Sequence, residues 1–218
     1  MESNQVKVWD PLVRIFHWSL VLAFAAAYLT GEEWDDWEEV HEFAGYAAVG
    51  LILFRIVWGF VGSQYARFSD FLYGPKTVIE YLKSLLTTHP KHYLGHNPAG
   101  GWMVMLLLAG VLVTGVTGLK LLGLKEGEGP FAKLETPALV SVAHADRERD
   151  ADEDEGQEQP AGMAANQDDV HFWKEIHETA SNLTLALVII HVLGVIVSSR
   201  LHRENLARAM VTGKKQLP

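Results

Sequence analysis

Four histidines lie in or beside long apolar stretches of this 218-residue sequence, where an ionisable side chain is costly and usually has a function. They are His17, His41, His177 and His191. On a helix, the 14 residues that separate His177 from His191 place both imidazoles on nearly one face, about 21 Å apart along the axis. A single histidine in such a stretch could merely donate an interhelical hydrogen bond, but paired neutral imidazoles are metal ligands, and haem iron accepts one on each axial position.

The histidines must be positioned by four apolar runs of about 20 residues each, at 12–30, 43–62, 101–122 and 180–199. This is the length that a helix needs to cross a bilayer core of about 30 Å. Backbone groups in lipid must be hydrogen-bonded internally, so the runs predict an all-α membrane protein with a bundle of four transmembrane helices. Ala25–Ala27 also resemble a signal-peptide cleavage site, although cleavage there would discard His17, and we expect the first helix to be retained.

The charges between the runs predict the orientation of this bundle. The segments before the first run, between the second and third and after the fourth, counted with Arg14, carry eleven Lys or Arg against five Asp or Glu. Positively charged segments stay in the cytoplasm, so both termini are expected inside. His17 and His191 then lie together near the cytoplasmic surface, and His41 and His177 near the outer surface. The sequence therefore predicts two bis-histidine haem sites, one in each leaflet, which suit electron transfer rather than oxygen binding.

Arg55 supports the same interpretation. It follows His41 by 14 residues, which puts it on the same helix face at the depth of His191, and the apolar runs hold no Asp or Glu at that depth. A haem propionate would provide the missing anion, whereas the alternative is that Arg55 reaches out to lipid phosphate. Glycines in the runs could let a porphyrin approach a helix, or could serve close helix packing; they are Gly45, Gly50, Gly59, Gly110, Gly115 and Gly118.

Composition excludes several other classes of protein. The absence of cysteine excludes disulfides, iron–sulfur clusters and covalently attached haem, and the net charge of −9 argues against nucleic acid as a partner. Zinc is a poorer occupant than haem for two-histidine sites without Cys, Asp or Glu at the same depth. An ion channel or transporter that uses the same histidines is a further alternative, and it predicts a colourless protein.

Two segments outside the runs have a distinct composition. Residues 76–87 have helical apolar spacing and predict a short amphipathic helix in the cytoplasmic interface. Residues 123–176 form an acidic insert on the outer side, and its centre, at 144–162, lacks periodicity and large apolar residues, which predicts disorder. The insert is either a solvated tether or a surface that attracts a basic protein.

The sequence resembles the bacterial cytochrome b-561 family, which includes the membrane b-type subunits of nickel–iron hydrogenases. The resemblance is carried by WDPLVRIFHW (residues 9–18), HEFAGYAAVGLILFRIVWG (41–59), GHNPAGGWMVMLLL (95–108) and KEIHETASNLTLALVIIHVLG (174–194). It implies a single diheme cytochrome b domain over residues 1–218 in the bacterial inner membrane. By this resemblance His17 and His191 hold the inner haem, and His41 and His177 hold the outer one.

The expected function is electron transfer between the membrane quinone pool and a periplasmic partner, either a c-type cytochrome or an oxidoreductase subunit. Quinone is expected near one haem edge, beside Arg55 or His96. Superoxide:quinone oxidoreduction is the alternative, and the acidic outer segments disfavour it because they repel an anion. His171 is the rival of His177 as outer ligand, but its 20-residue separation from His191 places it about 30 Å away, too far for a haem in the same bilayer.

Overall fold

The computed structural model describes residues 5–31, 37–87, 91–132 and 167–216. Within these residues four helices are long and apolar enough to cross a membrane: α1 (Pro11–Leu29), α2 (Glu38–Val61), α5 (Pro98–Lys125) and α6 (Gln167–Leu201). Shorter elements lie between and after them: a 3₁₀ turn (Gln64–Ala66), α3 (Phe68–Phe71), α4 (Pro75–Ser84) and α7 (Leu206–Thr212). The prediction of four spanning helices is confirmed.

Local sequence signals explain where the helices begin. Asp10 caps α1, with its Oδ1 accepting the backbone N–H of Val13 at 2.9 Å, and Pro11 occupies the first turn. Asn97 does the same for α5, where its Oδ1 accepts the N–H of Gly100 at 2.7 Å. The helix α6 begins 13 residues before the predicted span, and Asp168 is one of two acidic residues that favour its first turn. The polar start of α6 therefore continues the helix beyond its apolar run and contains His177.

The chain divides into two compact units. One comprises residues 1–116 and 177–218, and it contains most of the helical bundle. Its core includes Phe16 from α1, Ile52 from α2, Phe71 from α3 and Leu108 from α5. The other unit comprises residues 117–176, which hold the last turns of α5 and the first turns of α6. The ends of the predicted acidic insert are helical, at 123–125 and 167–176, whereas its predicted disordered centre lies outside the described residues.

A small sheet joins the two ends of the chain. Strand β1 (Gln5–Lys7) pairs antiparallel with β2 (Lys214–Gln216), with Val6 opposite Lys215. The sequence predicted no strand here, because three-residue segments carry no periodicity. The ladder packs near a small cluster of Val8, Trp9 and Ala209, and it fixes both termini at the end of the bundle where α1 begins and α6 ends.

The predicted interfacial helix is present as α4. Tyr81 is fully buried on one side of it, while Ile79 and Leu82 form an exposed apolar stripe on the other, and Leu86, two residues beyond the helix, is exposed as well. Such a stripe beside exposed lysines is typical of a helix that lies at a membrane surface, and this location stays a prediction.

Candidate functional site

His41 and His177 approach each other across α2 and α6. Their ring centroids are 6.1 Å apart and the ring planes are nearly perpendicular, at 82°. A metal with one imidazole nitrogen at about 2.0 Å on each side puts the two ring centroids about 6.3 Å apart. The observed separation therefore fits two axial imidazoles on a single iron.

Backbone carbonyls fix the orientation of both rings. The Nδ1 of His41 lies 2.8 Å from the carbonyl oxygen of Ala27 on α1, and the Nδ1 of His177 lies 3.0 Å from that of Thr114 on α5. Because a carbonyl oxygen only accepts, each Nδ1 carries the proton and donates, so Nε2 is the nitrogen with the lone pair in this tautomer. Histidine ligands of metals usually have such a second hydrogen bond, which sets the tautomer and the ring orientation.

The second predicted pair, His17 and His191, lies at the other end of the bundle. Both side chains are partly buried, and the two imidazoles are within electrostatic range of each other. The Nδ1 of His17 is buried without a hydrogen-bond partner. Beside His191, a Cβ on Gly194 would have no neighbour within 4 Å, so the helix surface there is open. These features leave an unused hydrogen-bonding nitrogen on His17 and open helix surface near His191.

Arg55 is buried beside this end of the bundle and does not extend to the surface. Its side chain is only 3% exposed, its Nη2 donates to the carbonyl of Ala66 at 3.0 Å, and its guanidinium lies 5.2 Å from the ring centroid of Phe68. The alternative in which Arg55 reaches lipid phosphate is therefore wrong for this structure. Its Nη1 is buried without a partner. A buried cationic donor of this kind fits an anionic oxygen, as on a haem propionate.

Asp10, just before α1, is a carboxylate that the sequence argument about Arg55 overlooked. It lies within electrostatic range of Arg55, and its Oδ2 accepts hydrogen bonds from Ser63 at 2.5 Å and from Trp58 at 3.2 Å. Burial alone would raise the pKa of Asp10, but these hydrogen bonds and the helix cap together lower it below its usual value. Asp10 is therefore a fixed negative charge that partly balances Arg55.

His96 occupies an aromatic setting in the loop before α5. Its ring centroid lies 4.6 Å from that of Trp9 and 4.5 Å from that of Phe71, and its Nδ1 is buried without a partner. Burial lowers the pKa of His96 to about 3, with smaller contributions from Arg55, Lys215 and His191. The imidazole is therefore neutral at physiological pH and retains an unused hydrogen-bonding nitrogen near Arg55 and His191.

His171 is placed differently from the four candidate ligands. Its side chain is 72% exposed and pairs with Glu175, one turn later on α6, with 3.6 Å between Nδ1 and the carboxylate. An exposed ring of this kind has no protein-built site around it. The structure agrees with the sequence argument that set His171 aside in favour of His177.

The predicted glycine set divides into two groups. A Cβ on Gly59 would lie 2.1 Å from the ring of Phe68, and Cβ atoms on Gly110 and Gly115 would equally collide with neighbouring side chains. These three glycines serve close packing. Gly45, one turn after His41, and Gly50 have nothing within 4 Å of an added Cβ. Among these five glycines of the predicted set, Gly45 and Gly50 are the two that leave helix surface for a flat group to approach.

Two kinds of residue escaped the sequence analysis. The carbonyls of Ala27 and Thr114 orient the rings, but no side-chain signal can reveal a backbone acceptor. Lys120 on α5 is 6% exposed inside an apolar run, and a lysine in such a run was a signal that could have been read from the sequence.

Comparison with known proteins identifies the family of this chain. The family model for prokaryotic cytochrome b561 matches residues 8–213. Relatives include proteins named probable Ni/Fe-hydrogenase B-type cytochrome subunit. That of Azotobacter chroococcum mcd 1 is 26% identical over 97% of this chain and 89% of its own length. That of Bradyrhizobium diazoefficiens is 24% identical over 97% of this chain and 86% of its own length. The matched residues contain all four candidate ligands.

Proposed function

The chain belongs to the prokaryotic cytochrome b561 family, whose members transfer electrons in membranes with b-type haem, and we propose that it holds two haems. His41 and His177 ligate the outer haem, and His17 and His191 ligate the inner one. The observation that carries the proposal is the 6.1 Å separation of the His41 and His177 rings, with both Nδ1 atoms engaged by carbonyls. When bound, haem iron takes up and releases one electron at a time.

The protein residues supply the ligands, their orientation and the surrounding charge. The carbonyls of Ala27 and Thr114 hold two imidazoles by their Nδ1 atoms. If two histidines ligate each haem, no coordination position would be open to a substrate. Arg55 provides a buried cation at the inner end, where it binds a propionate and favours the electron-rich state of the site.

The inner end is also the proposed site of quinone. Trp9 and Phe71 pack against the His96 ring there, and the neutral His96 offers a nitrogen that can hydrogen-bond to a quinone carbonyl. Because His96 is neutral, one ring nitrogen carries a proton and the other carries a lone pair, so the ring can hydrogen-bond to a quinone oxygen without placing a charge in an apolar environment. Arg55 lies close enough to His96 to favour an anionic oxygen on the same ligand.

The outer end is the proposed contact with a periplasmic redox protein, in a bacterial inner membrane with both termini in the cytoplasm. The segments at 32–39 and 125–176 are strongly acidic, which suits a basic c-type cytochrome or an oxidoreductase subunit. The Ni/Fe hydrogenase in the names of the relatives is one such oxidoreductase. Residues 123–176 form the acidic insert of this single domain.

A redox difference spectrum of the detergent-purified full chain, with haem quantified per chain, tests the ligand proposal. We expect about two haems b per chain, both low-spin as bis-histidine ligation requires. A colourless protein would refute the proposal in favour of ion transport. The partner proposal is tested by the rate of reduction by a basic cytochrome c at rising ionic strength, which should fall as charges are screened.

A further inference from the structure

An open groove lies beside the C-terminal end of α6, away from the candidate haem ligands. It has a volume of about 490 Å³. Val195 and Ile196 line one part of it, while Ser199, Arg200, Arg203 and Asn205 line the rest. The groove is therefore apolar where it meets the body of α6 and cationic where α6 ends. A ligand that fits it has an anionic head and an apolar stem.

The two arginines of the groove are free to bind such a head. Both side chains are exposed. Neither guanidinium forms a hydrogen bond or an ion pair with any residue that the structure describes. Glu204 also borders the groove, but its carboxylate is engaged by His92 at 2.6 Å and by Lys215 at 3.2 Å. The adjacent acid therefore does not neutralise Arg200 or Arg203, which leaves two unpaired positive charges.

The backbone of Arg203 adds an independent observation. Arg203 has a φ of 52°, the left-handed conformation that is normally taken by glycine at the end of a helix. The N–H of Glu204 then reaches back to the carbonyl of Ser199 at 3.0 Å and closes α6. The left-handed backbone conformation costs an arginine about 1 kcal/mol relative to a relaxed one. Strained residues of this kind cluster at ligand-binding positions.

The apolar part of the groove is continuous with the surface of α6 that faces lipid. Four large side chains on the last turns of α6, including Ile196 of the groove itself, are each at least 40% exposed: Ile189, Leu193, Ile196 and Val197. A molecule bound to the arginines can extend an apolar chain along this surface. Soluble phosphate compounds have no such chain, whereas phospholipids do.

We propose that this groove binds one anionic phospholipid, with its phosphate on Arg200 and Arg203 and the upper part of an acyl chain on Val195 and Ile196. The proposal requires membrane insertion but does not depend on which histidines hold haem. Each arginine near an anionic membrane surface contributes about a fivefold gain in affinity, so the pair contributes about 25-fold.

Native mass spectrometry of the haem-loaded full chain tests the proposal, after delipidation and addition of phosphatidylglycerol or phosphatidylcholine. We expect one retained phosphatidylglycerol and weaker retention of phosphatidylcholine. The double variant Arg200→Gln with Arg203→Gly should reduce phosphatidylglycerol affinity about 25-fold. Glycine suits the left-handed backbone at this position, so the variant removes the charge without disturbing the end of α6.

Arg208→Gln is the matched control, because Arg208 is an exposed arginine on α7 that does not line the groove. Its phosphatidylglycerol affinity should equal that of the wild type, and unchanged haem spectra show that all variants are folded. Three results would overturn the proposal: equal retention of the two lipids, an equal loss in the Arg208 variant, or displacement of phosphatidylglycerol by millimolar inorganic phosphate. The last result would assign the groove to a soluble phosphate instead.

Discussion

Replacement of His177 by alanine is the sharpest test of the proposed haem ligands. The change removes one of the two rings that approach to 6.1 Å and leaves His41 in place. We expect the outer haem to be lost and the inner haem to stay, because His17 and His191 lie at the other end of the bundle. Haem content should fall by about half.

The structure indicates that the fold survives this change. His177 contributes one hydrogen bond to the carbonyl of Thr114, worth about 1 kcal/mol, and removal of its partly buried ring adds a comparable cost. Domains are typically stable by about 5–15 kcal/mol. The carbonyl of Thr114 also remains within the hydrogen-bond ladder of α5, so it is not left unpaired. Loss of haem can therefore be interpreted as loss of a ligand rather than as unfolding.

Pyridine haemochromogen analysis and a reduced-minus-oxidised spectrum measure the outcome per chain. His171→Ala is the control, since this exposed histidine lies six residues earlier on the same helix. Added imidazole should enter the space left by the His177 ring and restore a low-spin spectrum. Unchanged haem content in the His177 variant, or an equal loss in the His171 variant, would show that the pairing is wrong.

Three further predictions concern other parts of the site. The folded-state pKa of His96 is lowered to about 3, so the unfolded chain binds more protons, and stability falls as pH drops below about 6.5. For His96 alone the loss between pH 6.5 and 5 is about 1.6 kcal/mol, and His96→Phe should remove that part of the pH dependence in thermal melts. Gly59→Ala should destabilise the protein by about 1–3 kcal/mol because its Cβ meets the ring of Phe68, whereas Gly50→Ala should be neutral or stabilising by the same melts. Arg55→Leu removes a buried cation and should lower the inner haem potential by tens of millivolts in a redox titration, with the outer haem unchanged.

Several features could be predicted from the sequence because they depend on distance along one helix. Apolar runs of about 20 residues predict spanning helices, since a helix rises about 1.5 Å per residue and the bilayer core is about 30 Å thick. The same arithmetic places His177 and His191 on one face of α6 and assigns His171 to a position too far out. These inferences need no neighbouring helix.

Tertiary structure decided what depends on the packing between helices. The carbonyls of Ala27 and Thr114 orient the ligand rings only because α1 and α5 pack at a particular rotation against α2 and α6. Arg55 turns inward because Phe68 and the carbonyl of Ala66 lie beside it. Its spacing from His41 does not determine whether the side chain turns inward or outward. Spacing along a helix fixes the face and depth of a side chain, but its partners come from segments that are distant in sequence.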